Sequence, residues 1–309
     1  MKFSIIPLSR PLTRLLHTST RCLSHENPLG LPARGSIPRF QRGLPQKRPI
    51  PKVSHIIAVS SAKGGVGKST IAANLALAFS RLGHRTGILD TDLFGPSIPT
   101  LFNLNDAPRL NENNQLIPLT NYGVKTLSIG YLLPSESAPI VWRGPLLLKA
   151  LQQLLHEVDW SPGLDILVLD LPPGTGDIQL SITQQIPLDG AVVVTTPHTL
   201  AIKDAIKGIG MFAQTKVPVL GVVQNMSLFC CPHCNGTTAV FGGQEAVRQQ
   251  VCEEHGLEFL GDVPLHPNIG EDGSRGKPTV VAEPESDRAK VFMDVARRLG
   301  EKIGLGDPQ

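Results

Sequence analysis

Ile56-Ile-Ala-Val-Ser60 runs without a break into Ser61-Ala-Lys-Gly-Gly-Val-Gly-Lys-Ser-Thr70, and an Ala/Leu-rich stretch follows to Leu82. The first segment is short, apolar and β-rich, as a buried strand must be. The second is glycine-rich, and the third carries apolar residues at helical spacing. A strand feeding a glycine-rich loop that opens a helix is the context a phosphate-binding P-loop requires. Glycines let backbone N–H groups converge on phosphate oxygens, and the helix N-terminus adds its dipole. The expected nucleotide-binding set is Gly64, Gly65, Val66, Gly67, Lys68, Ser69 and Thr70. Lys68 should reach the β- and γ-phosphates, and the Ser69 hydroxyl should ligate Mg²⁺. A glycine-rich turn without a ligand is the alternative, but it does not account for the agreement of motif and context.

Outward from this loop, short apolar runs alternate with helical patterns. That alternation predicts an α/β fold, a mostly parallel sheet with helices on both faces. Strands are expected near 56–60, 86–90, 125–129, 165–170, 190–195, 218–223 and 257–260. Helices are expected near 68–82, 145–157, 178–185, 199–214, 243–255 and 286–302. Ile166-Leu-Val-Leu169 and Ala191-Val-Val-Val194 are apolar throughout, as strands covered on both sides must be.

Two strand ends carry acids. Leu89-Asp90-Thr91-Asp92 closes one and Leu169-Asp170 another, the latter continuing as Leu-Pro-Pro-Gly-Thr-Gly-Asp177. Ligands of such sheets bind beyond the carboxyl ends of the strands. Asp170 is the candidate for holding the Mg²⁺ shell through water, and Asp92 for orienting the attacking water. Asp177 could respond to the γ-phosphate, or simply open a helix.

The 309-residue chain has a net charge of +3, unevenly spread. Residues 1–52 carry ten Lys or Arg against one acid, Glu26, which leaves a net −6 on the remaining 257 residues. The basic block has no aromatic interleaving, so it does not read as a nucleic-acid surface. Arg10, Arg14 and Arg21 among Ser and Thr, with leucines able to share one helical face, fit a mitochondrial targeting peptide over 1–25. A disordered tail is the bland alternative. Pro, Gly and basic residues make 26–52 a linker, and 53–309 one P-loop domain with a cysteine-bearing loop at 225–243. No apolar run reaches the roughly 18 to 20 residues of a membrane span.

Of five cysteines, Cys230, Cys231 and Cys234 fall within five residues of one another. Four readings compete for Cys231-Pro-His-Cys234: a redox pair, zinc shared across a dimer, an inert pair, or half the ligand set of an iron–sulfur cluster. Two thiolates per chain are half of a Cys₄ set, which a symmetric dimer would complete at its two-fold axis. Cys252 reads as core and Cys22 as part of the leader.

Several stretches carry a family resemblance. Lys63, an extra lysine opening the loop, is the mark of deviant Walker A ATPases. With Asp92-Leu-Phe-Gly-Pro-Ser-Ile-Pro99, Trp142-Arg-Gly-Pro145, Asp170-Leu-Pro-Pro-Gly-Thr-Gly-Asp177 and Gln224-Asn-Met-Ser227 ahead of a Cys-x-x-Cys, the chain resembles the Mrp/ApbC group of iron–sulfur carrier ATPases over 44–300. Arg42-Gly-Leu-Pro45 and the basic N-terminus resemble its mitochondrial branch, implicated in supplying [4Fe–4S] clusters during assembly of respiratory complex I.

The resemblance implies a SIMIBI-like P-loop NTPase that binds ATP and Mg²⁺ as a homodimer in the mitochondrial matrix. It implies that Lys63 meets the nucleotide of the partner subunit and that Asn225 recognises adenine. It also implies that Cys231 and Cys234 hold a [4Fe–4S] cluster for apo-protein recipients such as complex I subunits. Val240-Phe-Gly-Gly-Gln244 is one glycine short of the group's pattern, and His266 stands where an acid is more usual.

A positioning or partitioning ATPase without a cluster is the rival. It would need a membrane helix or a DNA-facing patch, and Arg288–Leu299 lacks the broad apolar face a membrane helix uses. Neither nucleic acid nor stable membrane insertion is expected.

Overall fold

Eight residues, Val53–Ser60, with the apolar run Ile56–Val59 inside them, form β1 at the middle of the sheet. In this computed structural model, residues 47–132 and 144–306 are described, apart from 232, 235, 244 and the side chains of 144–148. The expected targeting peptide and nearly all of the linker lie outside the described residues, as do Cys22, Trp142 and Arg143.

Helix α1 (Lys68–Arg81) follows the glycine-rich loop, then β2 (Thr86–Asp90) and the short α2 (Ile98–Leu101). A hairpin of β3 (Leu119–Asn121) and β4 (Val124–Ser128) leads to α3 (Gly144–His156), β5 (Leu164–Asp170), α4 (Asp177–Gln185), β6 (Gly190–Thr195) and α5 (Thr199–Gln214). The chain continues through β7 (Val219–Cys230), β8 (Thr237–Thr238), a π-helical segment (Arg248–Glu253) and β9 (Phe259–Leu265). It closes with α6 (Pro267–Ser274), α7 (Thr279–Ala282) and α8 (Asp287–Ile303).

The strand order is β3-β4-β2-β5-β1-β6-β7-β8, with β9 also on β7. Only the β3–β4 and β7–β8 pairs are antiparallel. Side chains of β1 alternate between two apolar layers, as a period of two demands. Ile56 and Ala58 pack among Leu154 of α3, Ile182 of α4 and Phe212 of α5. Ile57 and Val59 pack among Ile71 and Leu75 of α1 and Phe292 and Leu299 of α8. The sheet is therefore covered by helices on both faces, as the unbroken apolar strands required. Among the described residues no helix is long and apolar enough to cross a membrane.

Three differences from the sequence reading bear on the site. Strand β7 does not stop near Val223 but continues through Gln224-Asn-Met-Ser to Cys230. Its polar run reads as a turn in sequence, yet Gln224, Asn225 and Ser227 are buried and β9 pairs alongside. The helix expected over 243–255 is interrupted by the π-helical stretch. Helices α2, α6 and α7 were not anticipated because each is too short to show a period.

Candidate functional site

The P-loop crosses the carboxyl end of β1, between β5 and β6. Gly67 caps α1 with φ +84°, in the left-handed region that L-residues avoid. A Cβ there would lie 2.2 Å from Asn225 Nδ2. At Gly64 and Gly65 a Cβ would meet nothing within 4 Å, so that side of the loop is open for close approach. Gly67→Ala is accordingly expected to cost roughly 1–2 kcal/mol from the backbone alone, and to displace Asn225. Calorimetry should show Mg-ADP affinity falling at least about tenfold while the circular dichroism spectrum persists. An unchanged affinity would mean the loop does not need this conformation.

Lys68 opens α1 and is buried with its ammonium ion-paired to Asp170 Oδ1 and 3.1 Å from Ser69 Oγ. Asp170 ends β5, is fully buried, and its Oδ2 has no partner among the described residues. Asp90, opposite it in the β2–β5 register, is equally buried. The Asp90 carboxylate accepts from the N–H groups of Asp92 (3.0 Å), Ser97 (3.1 Å) and Ile98 (3.3 Å), and from Ser128 Oγ (3.0 Å). Burial, and then the neighbouring Asp170 charge, push Asp90 up to about 7. Burial also raises Asp170, against the pull of Lys68. Two buried carboxylates thus stand near one ammonium, which is paired to Asp170 and pulls on Asp90 only through its charge, an arrangement that favours a further cation.

Asp90 thus shapes the turn that carries Asp92. Asp92 Oδ1 accepts from Phe94 and Gly95 N–H, each at 3.3 Å, and the side chain faces the P-loop across a cleft of about 470 Å³. Helices α2 and α6 supply further walls through Thr100, Leu101, Ile269 and Gly270. Pro173 of the loop after β5 reaches the cleft, whereas Asp177 stands exposed in the first turn of α4. Lys63 is half-buried at the start of the loop, its carbonyl accepting from Ser61 Oγ at 2.9 Å. The oxygen donors present (Ser69, Asp92 and the unpartnered Asp170 Oδ2) are the hard set that Mg²⁺ takes.

Asn225 has a task the sequence did not reveal. Its Nδ2 donates to Val66 O at 2.7 Å, so β7 braces the P-loop from the side. Asn225 is itself buried against the loop and is not among the residues that line the cleft. The next residue, Met226, has φ +54°, and the β7–β9 register shifts between Asn225 and Phe229. Beyond this bulge the same strand delivers the cysteines.

Cys230 ends β7 opposite Thr237 of β8, so Cys231 and Cys234 sit at a hairpin tip. Cys231 N donates to Gly236 O at 3.0 Å. N–H groups of His233 and then Cys234, with the Cys234 thiol, hold the Cys231 thiol below its ordinary range. Such a cradle favours the thiolate, the form that binds metal. Among the described residues no three of His, Cys, Asp and Glu converge as a metal site. Cys230 and His233 therefore do not complete a tetrahedral site with the pair within one protomer. Cys252 is core, and burial pushes its thiol up to about 11.

Sequence reasoning missed Asp90's anchoring role, the Asn225 brace and the α6 wall. His266-Pro267, a polar side chain followed by proline at a first helical position, is the signal that could have located α6.

A doubly covered, mostly parallel sheet with this loop and these buried acids defines a P-loop nucleotide-binding protein. The chain belongs to the NUBPL iron-transfer P-loop NTPase family, whose model matches residues 52–300. An iron-sulfur cluster carrier protein of Aquifex aeolicus is 46% identical over 264 residues, spanning 85% of this chain and 72% of that one. An Arabidopsis thaliana relative, the iron-sulfur protein required for NADH dehydrogenase, mitochondrial, is 47% identical over 80% of this chain and 78% of its own. Among solved structures, a nucleotide-binding protein of Archaeoglobus fulgidus in complex with ADP aligns with TM-score 0.66 and 37% identity, covering 78% of this chain and 93% of that one.

Proposed function

We propose that this chain is an ATP-dependent carrier that holds a [4Fe–4S] cluster between two copies of itself and passes it to apo-proteins. One observation carries the reading: each chain offers two thiols at an exposed hairpin tip and no third ligand near them among the described residues. A cluster wants four thiolates, and a two-fold dimer with one hairpin from each subunit supplies them. A cargo held by few ligands per subunit at a surface is also one that can be released. Family membership favours this over a positioning ATPase whose cysteines bind zinc or nothing.

In the ATP site Lys68 leaves Asp170 to meet the β- and γ-phosphates, and Ser69 and Thr70 cradle them with the loop amides. Mg²⁺, held by Ser69 and through water by Asp170, would neutralise charge developing on the phosphates. Asp92 orients the attacking water, Asn225 reads the adenine edge, and Lys63 reaches the nucleotide of the other subunit. Hydrolysis by one subunit alone would be slow, because that last contact forms only across the interface.

The basic N-terminal 1–25, with the mitochondrial name of the Arabidopsis relative, supports residence in the mitochondrial matrix. That name also supports complex I subunits among the recipients. Neither nucleic acid nor a membrane-inserted state enters the scheme.

Transfer is the test. The protein is loaded anaerobically with iron and sulfide, then mixed with an apo-enzyme that needs a [4Fe–4S] cluster, with and without Mg-ATP. Recovery of acceptor activity ahead of an equal dose of free iron and sulfide is the expected result. A cluster that stays on the protein under all nucleotide conditions would contradict a carrier.

A further inference from the structure

We infer that His266 is a positioning residue for the nucleotide, holding the α6 wall of the cleft in place through its neutral imidazole. This rests on the reading of the cleft as a nucleotide site. His266 follows the last residue of β9 in extended conformation (φ −136°, ψ 135°), and Pro267 comes next at the first helical position. Its Nδ1 accepts the N–H of Asn268 at 3.2 Å, satisfying one of the orphan donors of α6. Helix α6 faces the cleft through Ile269, Gly270, Gly273 and Ser274. Its first turn is tied to the far side of the fold, where Asn268 Nδ2 donates to Glu283 Oε1 at 2.7 Å and Glu283 pairs with Arg288 of α8. The cap therefore fixes where the wall stands relative to the P-loop.

An oxygen cap, Asp or Asn, would do this throughout the neutral range. A histidine does it only while Nδ1 keeps its lone pair. Protonation turns that acceptor into a donor facing another N–H, and sets a positive charge at the positive end of the helix dipole.

The charged groups facing the ring are Arg288 of α8, Glu283 before α8 and Asp272 of α6. Burial, and then Arg288, lower the His266 pKa, against smaller upward pulls from Glu283 and Asp272. The folded state thus favours the neutral ring. Its contribution is fully present above the unfolded histidine value of about 6.5, and is lost as pH falls below it toward the folded value.

The test is Mg-ADP binding to the full chain by calorimetry at about pH 8 and about pH 5.5, for wild type, His266→Asn and His266→Ala. At the higher pH the wild type and the Asn variant should bind within about twofold, and the Ala variant about fivefold more weakly. At the lower pH the wild type should lose about three- to tenfold more affinity than His266→Asn, which keeps its cap. Parallel loss in wild type and Asn variant would overturn the inference.

Hydrogen exchange at the Asn268 amide gives a readout that needs neither nucleotide nor a variant. Its protection should fall in step with His266 protonation, and protection that ignores pH would equally overturn the inference. Absence of Mg-ADP binding by every form at both pH values would strike the nucleotide reading instead, with the Asn268 amide still deciding the cap.

Discussion

Anaerobic reconstitution of Cys231→Ala/Cys234→Ala with iron and sulfide should return a colourless protein, whereas the wild type should hold about four irons per dimer and absorb broadly near 400 nm. The hairpin geometry makes the loss total. Among the described residues no three acids, histidines or cysteines are arranged to hold a metal ion. Cys230 is held by the Thr237 pairing on the strand below, and Cys252 is buried in the core. Removing two thiolates per chain therefore removes the whole ligand set of the dimer.

Stability should barely change, because Cys234 is exposed and Cys231 half-buried at a two-strand tip. Equal melting temperatures for the iron-free proteins would separate loss of ligands from loss of fold. Iron retained by the double variant would overturn the cargo site, and one zinc per wild-type dimer instead of iron, lost in the variant, would favour the shared-zinc reading.

Lys68→Ala should abolish detectable Mg-ADP binding and destabilise the fold by about 3–5 kcal/mol, the usual cost of leaving a buried charge without its partner. Lys68 is 6% exposed and Asp170 fully buried, with Asp90 beside it in the register. Taking away that ammonium strands the Asp170 carboxylate and removes the charge that pulls on Asp90. Both are already raised by burial. Without Lys68 they rise further, so the folded chain binds protons that the unfolded chain releases. The wild type already holds the Asp90 proton up to about 7, so the deficit should grow as pH climbs above that value.

Urea midpoints across that range give the measurement. Adding Asp170→Asn to Lys68→Ala should restore stability but not binding, a coupling that a double-mutant cycle isolates. A loss below about 1 kcal/mol that is flat in pH would mean the buried pair is not the source.

The elements legible in the sequence share a property. Ile56–Val59 of β1, Ile166–Leu169 of β5 and Ala191–Val194 of β6 are unbroken apolar runs, and the glycine-rich loop sits between a strand and a helix. Each signal lies within a dozen neighbouring residues, so composition and period reveal it. What misled was also local: Gln224-Asn-Met-Ser looks like a turn because Asn225 and Ser227 find their partners only in distant segments. Asn225, for example, reaches Val66, 159 positions away. Helix α6 was invisible because eight residues with two glycines and a proline at the first position show no period.

The sequence by itself therefore determined the fold class, the phosphate loop and the number of thiols each chain can offer, because all three are written in contiguous residues. Only the tertiary structure decided that Asp170 pairs with Lys68 beside Asp90, that Asn225 braces the loop, that α6 walls the cleft, and that one strand joins loop to hairpin. Those arrangements exist where strands far apart in the chain lie about 5 Å apart in the sheet, and no local pattern encodes which strands become neighbours.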